Sequence, residues 1–272
     1  MSDMIDYYSG FDEWGRLDRE PLEFQVNWHF IKSHLPSAGA VLDNGAGPGK
    51  YAIELAKLGY NVTLTDITPR LVDVAREKAA ELGLLDRFSG FRVRNATDLA
   101  GLPDETFDAS LMLGPLYHLQ QEADRVQAVR ELHRVTKPGG TVFAAVRPRS
   151  RKVLTALMSP AFWKPLDSIA AIRKFQQDGM FDHADRGRFT GAYFFQVADI
   201  CPFFESNGFE TVKLISSTGL GGRLTKEHWD YWSARGETEQ LMELIYESAE
   251  DPYALGATAS HLLYIGKRKD RA

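Results

Sequence analysis

Three glycines at every second position, Gly45, Gly47 and Gly49, follow an aspartate at the end of a short apolar run in AVLDNGAGPGKYAIELAKLG, residues 40–59. Glycine lets a backbone approach a ligand closely, and a helix beginning after such a loop offers unpaired N–H groups. Strand, loop and helix together therefore make a grip for a nucleotide-like molecule. A dinucleotide fingerprint needs G-x-G-x-x-G, but position 50 is Lys, which disfavours a nicotinamide oxidoreductase; no Gly-Lys-Ser/Thr ends the run as a P-loop requires. Asp43 instead suits a ligand's amino group and would repel a pyrophosphate. At the end of NVTLTD, Asp66 stands where α/β nucleotide sites put a carboxylate on ribose hydroxyls, Ile67 follows in a place to lie against a base, and Asn95-Ala96-Thr97-Asp98 adds polar groups at a third strand end.

An amino-acid end, a ribose and a base together describe S-adenosylmethionine. Positioning these groups requires a parallel sheet covered by helices, because ligands of open α/β sheets bind at the carboxyl ends of the strands. The pattern predicts strands near 40–43, 61–66, 90–94, 107–113, 141–147, 210–216 and 261–267. Helices are predicted over 21–35, after the glycine loop, over 69–82, over 123–135 and over 198–207; the helix ending at Val135 stops at the turn Lys137-Pro138-Gly139-Gly140. Two stretches break the alternation: 1–20, with Tyr7, Tyr8, Phe11 and Trp14, and 148–196, with many aromatic residues.

Four motifs in order, VLDNGAGPG, TLTD, RNATDLAGLPDETFDASLMLGPLYHL and HRVTKPGGTVFAAV, resemble the class I S-adenosylmethionine-dependent methyltransferases, specifically the type 11 or ubiquinone/menaquinone-methyltransferase-like group. The resemblance covers roughly residues 38–147. It implies a doubly wound, seven-stranded Rossmann-like sheet with the last strand antiparallel, plus N-terminal and inserted helical lid segments. It also implies a division into an N-terminal lid segment 1–20, a cofactor-binding half 21–147, an inserted cap 148–196 and a C-terminal part 197–272 of the same core. The cofactor-binding set is Asp43, Gly45, Ala46, Gly47, Gly49, Tyr51, Asp66, Ile67, Asn95, Ala96 and Leu113, with the loop on the methionine portion, Asp66 on the ribose and Asn95 with Ala96 on the adenine. The family more often has Asp where Asn95 stands.

Methyltransferases of nucleobase amines place Asp or Asn before Pro-Pro-Tyr/Phe after the fourth strand. Here the sequence is Gly114-Pro115-Leu116-Tyr117, which lacks that acceptor and argues against a nucleic acid substrate. Tyr117 and His118 are the catalytic candidates; His118 is either a general base or a structural histidine at a helix start. Tyr7, Tyr8, Trp14 and Arg16, with Phe189, Tyr193 and Phe194, are candidates to enclose a small-molecule methyl acceptor and exclude water. The basic run RPRSRK (147–152) either binds an acidic group of the acceptor or is a solvated turn.

Composition agrees with a small-molecule enzyme. Of 272 residues 44% are hydrophobic and 25% charged, as in ordinary globular proteins, and the formal net charge of −5 disfavours capture of nucleic acid or an anionic membrane. A single cysteine, Cys201, excludes an internal disulfide and a multi-cysteine zinc site, and its apolar surroundings read as core. No metal is expected. With neither a signal peptide pattern nor a membrane-length apolar run, the expected location is the cytoplasm. Transfer to O or N of a small molecule is the leading expectation; C-methylation of a quinone-like precursor and non-catalytic S-adenosylmethionine binding are the alternatives.

Overall fold

The computed structural model describes residues 14–15, 21–184 and 191–270. Its frame is a seven-stranded sheet with spatial order β3-β2-β1-β4-β5-β9-β8. The strands are β1 (Ala40–Asn44), β2 (Asn61–Asp66), β3 (Phe88–Val93), β4 (Phe107–Met112), β5 (Thr136–Val146), β8 (Phe209–Ser216) and β9 (Leu262–Arg268). The first five pair in parallel, and β9 runs antiparallel between β5 and β8, as expected from the sequence. The central strands carry Val41, Leu42, Ala109 and Leu111 with no exposure, the signature of a sheet buried on both faces.

Helices supply those two covers. On one face lie α1 (Pro21–His34), α2 (Lys50–Lys57) and α3 (Pro69–Glu81), whose Ile31, Leu55 and Val72 join Val62 and Leu64 in one core cluster. On the other lie α4 (Glu122–Val135) and α7 (Val197–Glu205), with Leu132 and Phe204 packed against Phe209 and Tyr264; the Phe204 and Tyr264 rings stack at 3.9 Å. Helices α8 (Lys226–Ala234) and α9 (Thr238–Glu247) follow β8, and His29 of α1 stacks on Tyr246 of α9 at 3.9 Å. Among the described residues no helix is long and apolar enough to cross a membrane.

The segment after β5 folds as α5 (Arg149–Met158), α6 (Ile169–Asp178) and a small antiparallel ribbon, β6 (Met180–Phe181) with β7 (Ala192–Tyr193). It has a core of its own, in which Leu166, Ile172, Phe175, Phe181 and Phe194 meet. Three readings from sequence need correction. The Lys137-Pro138-Gly139-Gly140 turn lies inside β5: Thr136 pairs with Phe107 straight after α4, and the ladder resumes at Thr141 with Ala109. The ribbon was not anticipated, because two-residue strands have no period to read. Cys201 is only partly buried.

The glycine loop explains how α2 can sit so close to the sheet. Gly49 has φ +84°, and a Cβ there would lie 2.9 Å from both the Ala75 Cβ and the Leu64 Cδ1. Strain in the left-handed region and overpacking act together, so Gly49→Ala is expected to lower unfolding stability by about 2–4 kcal/mol. Urea denaturation followed by circular dichroism checks this; a loss below about 0.5 kcal/mol would show that α2 has room to move away.

Candidate functional site

The strand order reverses between β1 and β4, which opens a crevice beyond their carboxyl ends. A cleft enclosing about 1090 Å³, counting space open to solvent, occupies it. Its floor is the glycine loop, folded over the end of β2 by the N–H groups of Gly45 and Ala46, which donate to the Thr65 carbonyl at 2.8 and 3.0 Å. Gly45 has φ +71°, and a Cβ there would come within 2.2 Å of the Pro115 ring, so the loop and the turn after β4 touch only because position 45 lacks a side chain.

Two carboxylates dominate the electrostatics. Asp43, at the end of β1, is 2% exposed; burial, reinforced by repulsion from Asp66 and opposed by the Ala52 backbone N–H, pushes its pKa up to about 7. Its Oδ2 has no hydrogen-bond partner among the described residues. Asp66, 7% exposed at the end of β2, is also raised by burial but is better supported: Oδ2 accepts from the Gly47 N–H and Oδ1 from the Thr68 N–H, both at 2.8 Å. A buried acceptor atom without a donor is a site that a ligand's cation can fill.

The far end of the cleft is formed by a short turn, Pro115–His118, from which Tyr117 and His118 face inward. Burial first, then the Arg147 guanidinium and His261, push the His118 pKa down to about 3. Burial and its cationic neighbour thus weaken this imidazole as a proton acceptor, and His118 forms part of the cleft wall. Tyr117 is ringed by His118, His261 and Arg147, at 4.9, 5.1 and 5.8 Å between ring centres or from guanidinium carbon to ring. His261 in turn meets Glu23 of α1, Nδ1 to Oε2, at 2.9 Å.

The cleft brings together Asp43, Gly45, Ala46, Gly47, Tyr51, Asp66, Ile67, Asn95, Ala96, Leu113, Tyr117 and His118. Gly49 is not in its wall and acts in the packing of α2. Asn95 closes a local turn, its Oδ1 accepting from the Thr97 N–H at 3.1 Å. Tyr193 and Phe194 belong to the cap: Phe194 is 3% exposed against Phe175, and Tyr193 covers the Arg125 guanidinium at 3.4 Å, so neither lines the cleft. Trp14 lies 5.6 Å from the ammonium of Lys50, a cleft residue. Tyr7, Tyr8, Arg16 and Phe189 fall outside the described residues. Two residues of RPRSRK are buried, so the run is not a solvated turn throughout. Arg149 is buried and donates to the carbonyls of Phe194 and Gln176 at 3.0 and 2.8 Å, which caps α6, while Lys152 Nζ sits 3.2 Å from the Trp163 ring centre and 3.7 Å from that of Phe181. Sequence reasoning missed Glu23 and Asn27 of α1, and Lys50, Thr68 and Arg94, all of which line the cleft. Among the described residues no cluster of three or more His, Cys, Asp or Glu is arranged to hold a metal ion.

Comparison with known proteins fits this geometry. A family model described as a methyltransferase domain matches residues 42–144. The ubiquinone biosynthesis O-methyltransferase of Xanthomonas axonopodis pv. citri is 34% identical over 126 residues, 46% of this chain and 50% of that protein, so the chain spans about half the length of this curated relative. A solved S-adenosylmethionine-dependent methyltransferase from Methanosarcina mazei superposes with TM-score 0.60 at 19% identity, over 89% of this chain and 98% of the other. The 1,6-didemethyltoxoflavin-N1-methyltransferase of Burkholderia thailandensis, solved with 1,6-didemethyltoxoflavin and S-adenosylhomocysteine bound, gives 0.56 at 17% identity over 99% and 87%. At such identities the solved structures speak for the fold. Residues 42–144 thus match a methyltransferase domain, and the chain has the fold of the solved S-adenosylmethionine-dependent methyltransferases.

Proposed function

We propose that this protein transfers a methyl group from S-adenosylmethionine to an oxygen or nitrogen atom of a small molecule. The observation that carries the reading is the pair of buried carboxylates at neighbouring strand ends, one of them with an oxygen lacking a donor among the described residues. Asp43 would receive the ammonium of the methionine portion and Asp66 the ribose hydroxyls. Ile67 and Leu113 offer apolar contact to the adenine, and Asn95 with the Ala96 backbone its polar edge. When bound, S-adenosylmethionine supplies an electrophilic methyl group on a good leaving group. The protein's own work is then to align the acceptor against that methyl, which Tyr117 and the Pro115–His118 turn are positioned to do, and to exclude water from the cleft. The O-methyltransferase name of the Xanthomonas relative favours oxygen, and the N1-methyltransferase from Burkholderia keeps nitrogen in the same reading.

The cofactor assignment is tested by calorimetry: S-adenosylmethionine and S-adenosylhomocysteine should bind, and NAD and ATP should not at comparable concentration. Asp66→Ala should weaken cofactor affinity by about 10- to 100-fold, since hydrogen bonds to a charged group are worth roughly 1.5–3 kcal/mol. An unchanged affinity would remove Asp66 from the ribose.

Asp43 adds a pH dependence with a definite sign. Its carboxyl holds a proton below about 7 in the ligand-free protein, and an ammonium ligand needs the ionised form. S-adenosylhomocysteine affinity should therefore rise with pH by up to about tenfold per unit below that value and level off above it, with proton release read from the dependence of the binding heat on buffer. The folded pKa lies above the unfolded one, so ligand-free stability should fall as pH climbs from about 4 towards 7; Asp43→Asn should flatten that slope and weaken binding. Binding that ignores pH over this range would count against the ammonium contact.

Turnover is the remaining test. Incubating the protein with a metabolite extract and methyl-labelled S-adenosylmethionine should yield a labelled product by mass spectrometry. Cofactor binding without any labelled product across extracts would turn the reading towards a non-catalytic binding protein.

A further inference from the structure

We infer that Asn27 of α1 is a second acceptor, together with Asp43, for the ammonium group of bound S-adenosylmethionine, so that the cleft selects ligands carrying a primary amine. The inference rests on the proposed cofactor and deepens it, assigning a cofactor contact to a helix outside residues 42–144.

Asn27 destabilises the fold where it stands. The buried positions of α1 are Val26, Asn27, Phe30 and Ile31, and the three apolar ones join the core cluster that holds the helix on the sheet. Asparagine is a poor helix former, and an amide oxygen taken out of water without a donor costs free energy. Asn27 is 2% exposed, yet its Oδ1 has no hydrogen-bond partner among the described residues. Its Nδ2 donates to the Tyr51 hydroxyl in a long contact of 3.5 Å, which leaves the oxygen as the unserved end of the amide. An apolar side chain would serve the packing of α1 better, so the amide at 27 answers to something other than packing.

The cleft supplies that something. Asn27 lines it, and so does Asp43, whose Oδ2 is likewise without a donor among the described residues. Both are tied to the start of α2, directly after the glycine loop: Asn27 through the Tyr51 hydroxyl, and Asp43 through the Ala52 N–H. Asn27 is kept there because Phe24 and Trp28 of the same helix pack on the Tyr51 ring, at 4.9 and 6.3 Å between ring centres.

The character of the two oxygens selects the ligand group. Both only accept hydrogen bonds, so a ligand carboxylate would be repelled by one and find no donor on the other. A hydroxyl brings one proton and satisfies one of them. A primary ammonium brings three N–H donors and a positive charge, enough for the Asp43 carboxylate and the Asn27 carbonyl together. The neutrality of Asn27 matters as well. With Asp43 it balances one cation by one anion, whereas another carboxylate at 27 would add to the repulsion that Asp66 already exerts on Asp43.

The test sets three probes against wild type, Asn27→Ala and Asn27→Leu by competition calorimetry: S-adenosylhomocysteine, its analogue with hydrogen in place of the amino group, and its analogue with hydrogen in place of the carboxylate. Both variants should bind S-adenosylhomocysteine about 10- to 100-fold more weakly. The loss should be the same with the analogue that keeps the amine, and below about threefold with the one that lacks it, because the contact is then already gone. Ligand-free Asn27→Leu should unfold in urea at or above the wild-type midpoint, since an apolar group replaces a buried acceptor without a donor. In the wild-type protein, with no variant involved, the ¹⁵N-labelled side-chain amide of Asn27 should shift further on adding S-adenosylhomocysteine than on adding the deamino analogue. An equal loss with all three probes would make Asn27 a packing residue, and a loss that vanishes only with the carboxylate would mean that its amide faces that group through N–H. Either result, an unchanged S-adenosylhomocysteine affinity, or equal amide shifts with the two ligands overturns the inference. Asp43→Asn separates it from the cofactor reading: an amine-dependent loss there without one at Asn27 defeats only the Asn27 contact, whereas wild-type protein that binds none of the three probes defeats both.

Discussion

A carboxylate held out of water beside another carboxylate is an unfavourable arrangement, and the cleft is organised around it. Asp43 is almost wholly buried at the end of β1, Asp66 stands at the end of the adjoining strand, and one Asp43 oxygen has no donor among the described residues. Desolvation of an ionised carboxyl costs several kcal/mol unless it is neutralised or paired, so the ligand-free protein meets the cost by raising the Asp43 pKa. The fold keeps such a site because α2, α3 and the glycine loop are packed too closely to relax around it. Gly45 and Gly49 make that closeness possible, the first against Pro115 and the second against Leu64 and Ala75.

The same constraint separates the two ends of the cleft. Near β1 and β2 the field is negative and suits an ammonium and hydroxyl donors. Near the end of β5 it is positive, set by Arg147, with Lys152 behind it in the cap. Burial and that guanidinium push Lys152 down to about 6, and the faces of Trp163 and Phe181 take the place of a carboxylate partner. The cap is thus a packed body that buries Arg149 and Lys152. Gln120, from the turn after β4, ties it to the core by donating to Asp182 at 3.0 Å.

What was legible in the sequence follows from the range of each contact. Asp43 and Asp66 are each the last acidic residue of an apolar strand, and the parallel register brings the two strand ends side by side, so local pattern and one topological rule place both. The antiparallel insertion of β9 came from resemblance and not from pattern. Glu23 was invisible as a cleft residue because its partner is 238 positions away. In PLEF it reads only as an acidic residue in a first helical turn, which the helix dipole already explains. The run RPRSRK misled for the opposite reason: charge in sequence suggests solvent or ligand, and only the folded cap reveals carbonyls and aromatic faces enough to bury Arg149 and Lys152.

His118 and His261 differ by the company each keeps, which no sequence window displays. Both border the Tyr117 ring, yet one faces a guanidinium and the other a carboxylate. Coulomb interactions over a few ångströms in a partly dry site are strong enough that surroundings, and not residue type, set a side chain's proton affinity. The carboxylate beside His261 is supplied by α1, a helix lying outside the matched domain of residues 42–144. Elements added around the cofactor-binding frame thus help to build the cleft wall, and that frame, the part most readable from sequence, does not by itself name the acceptor.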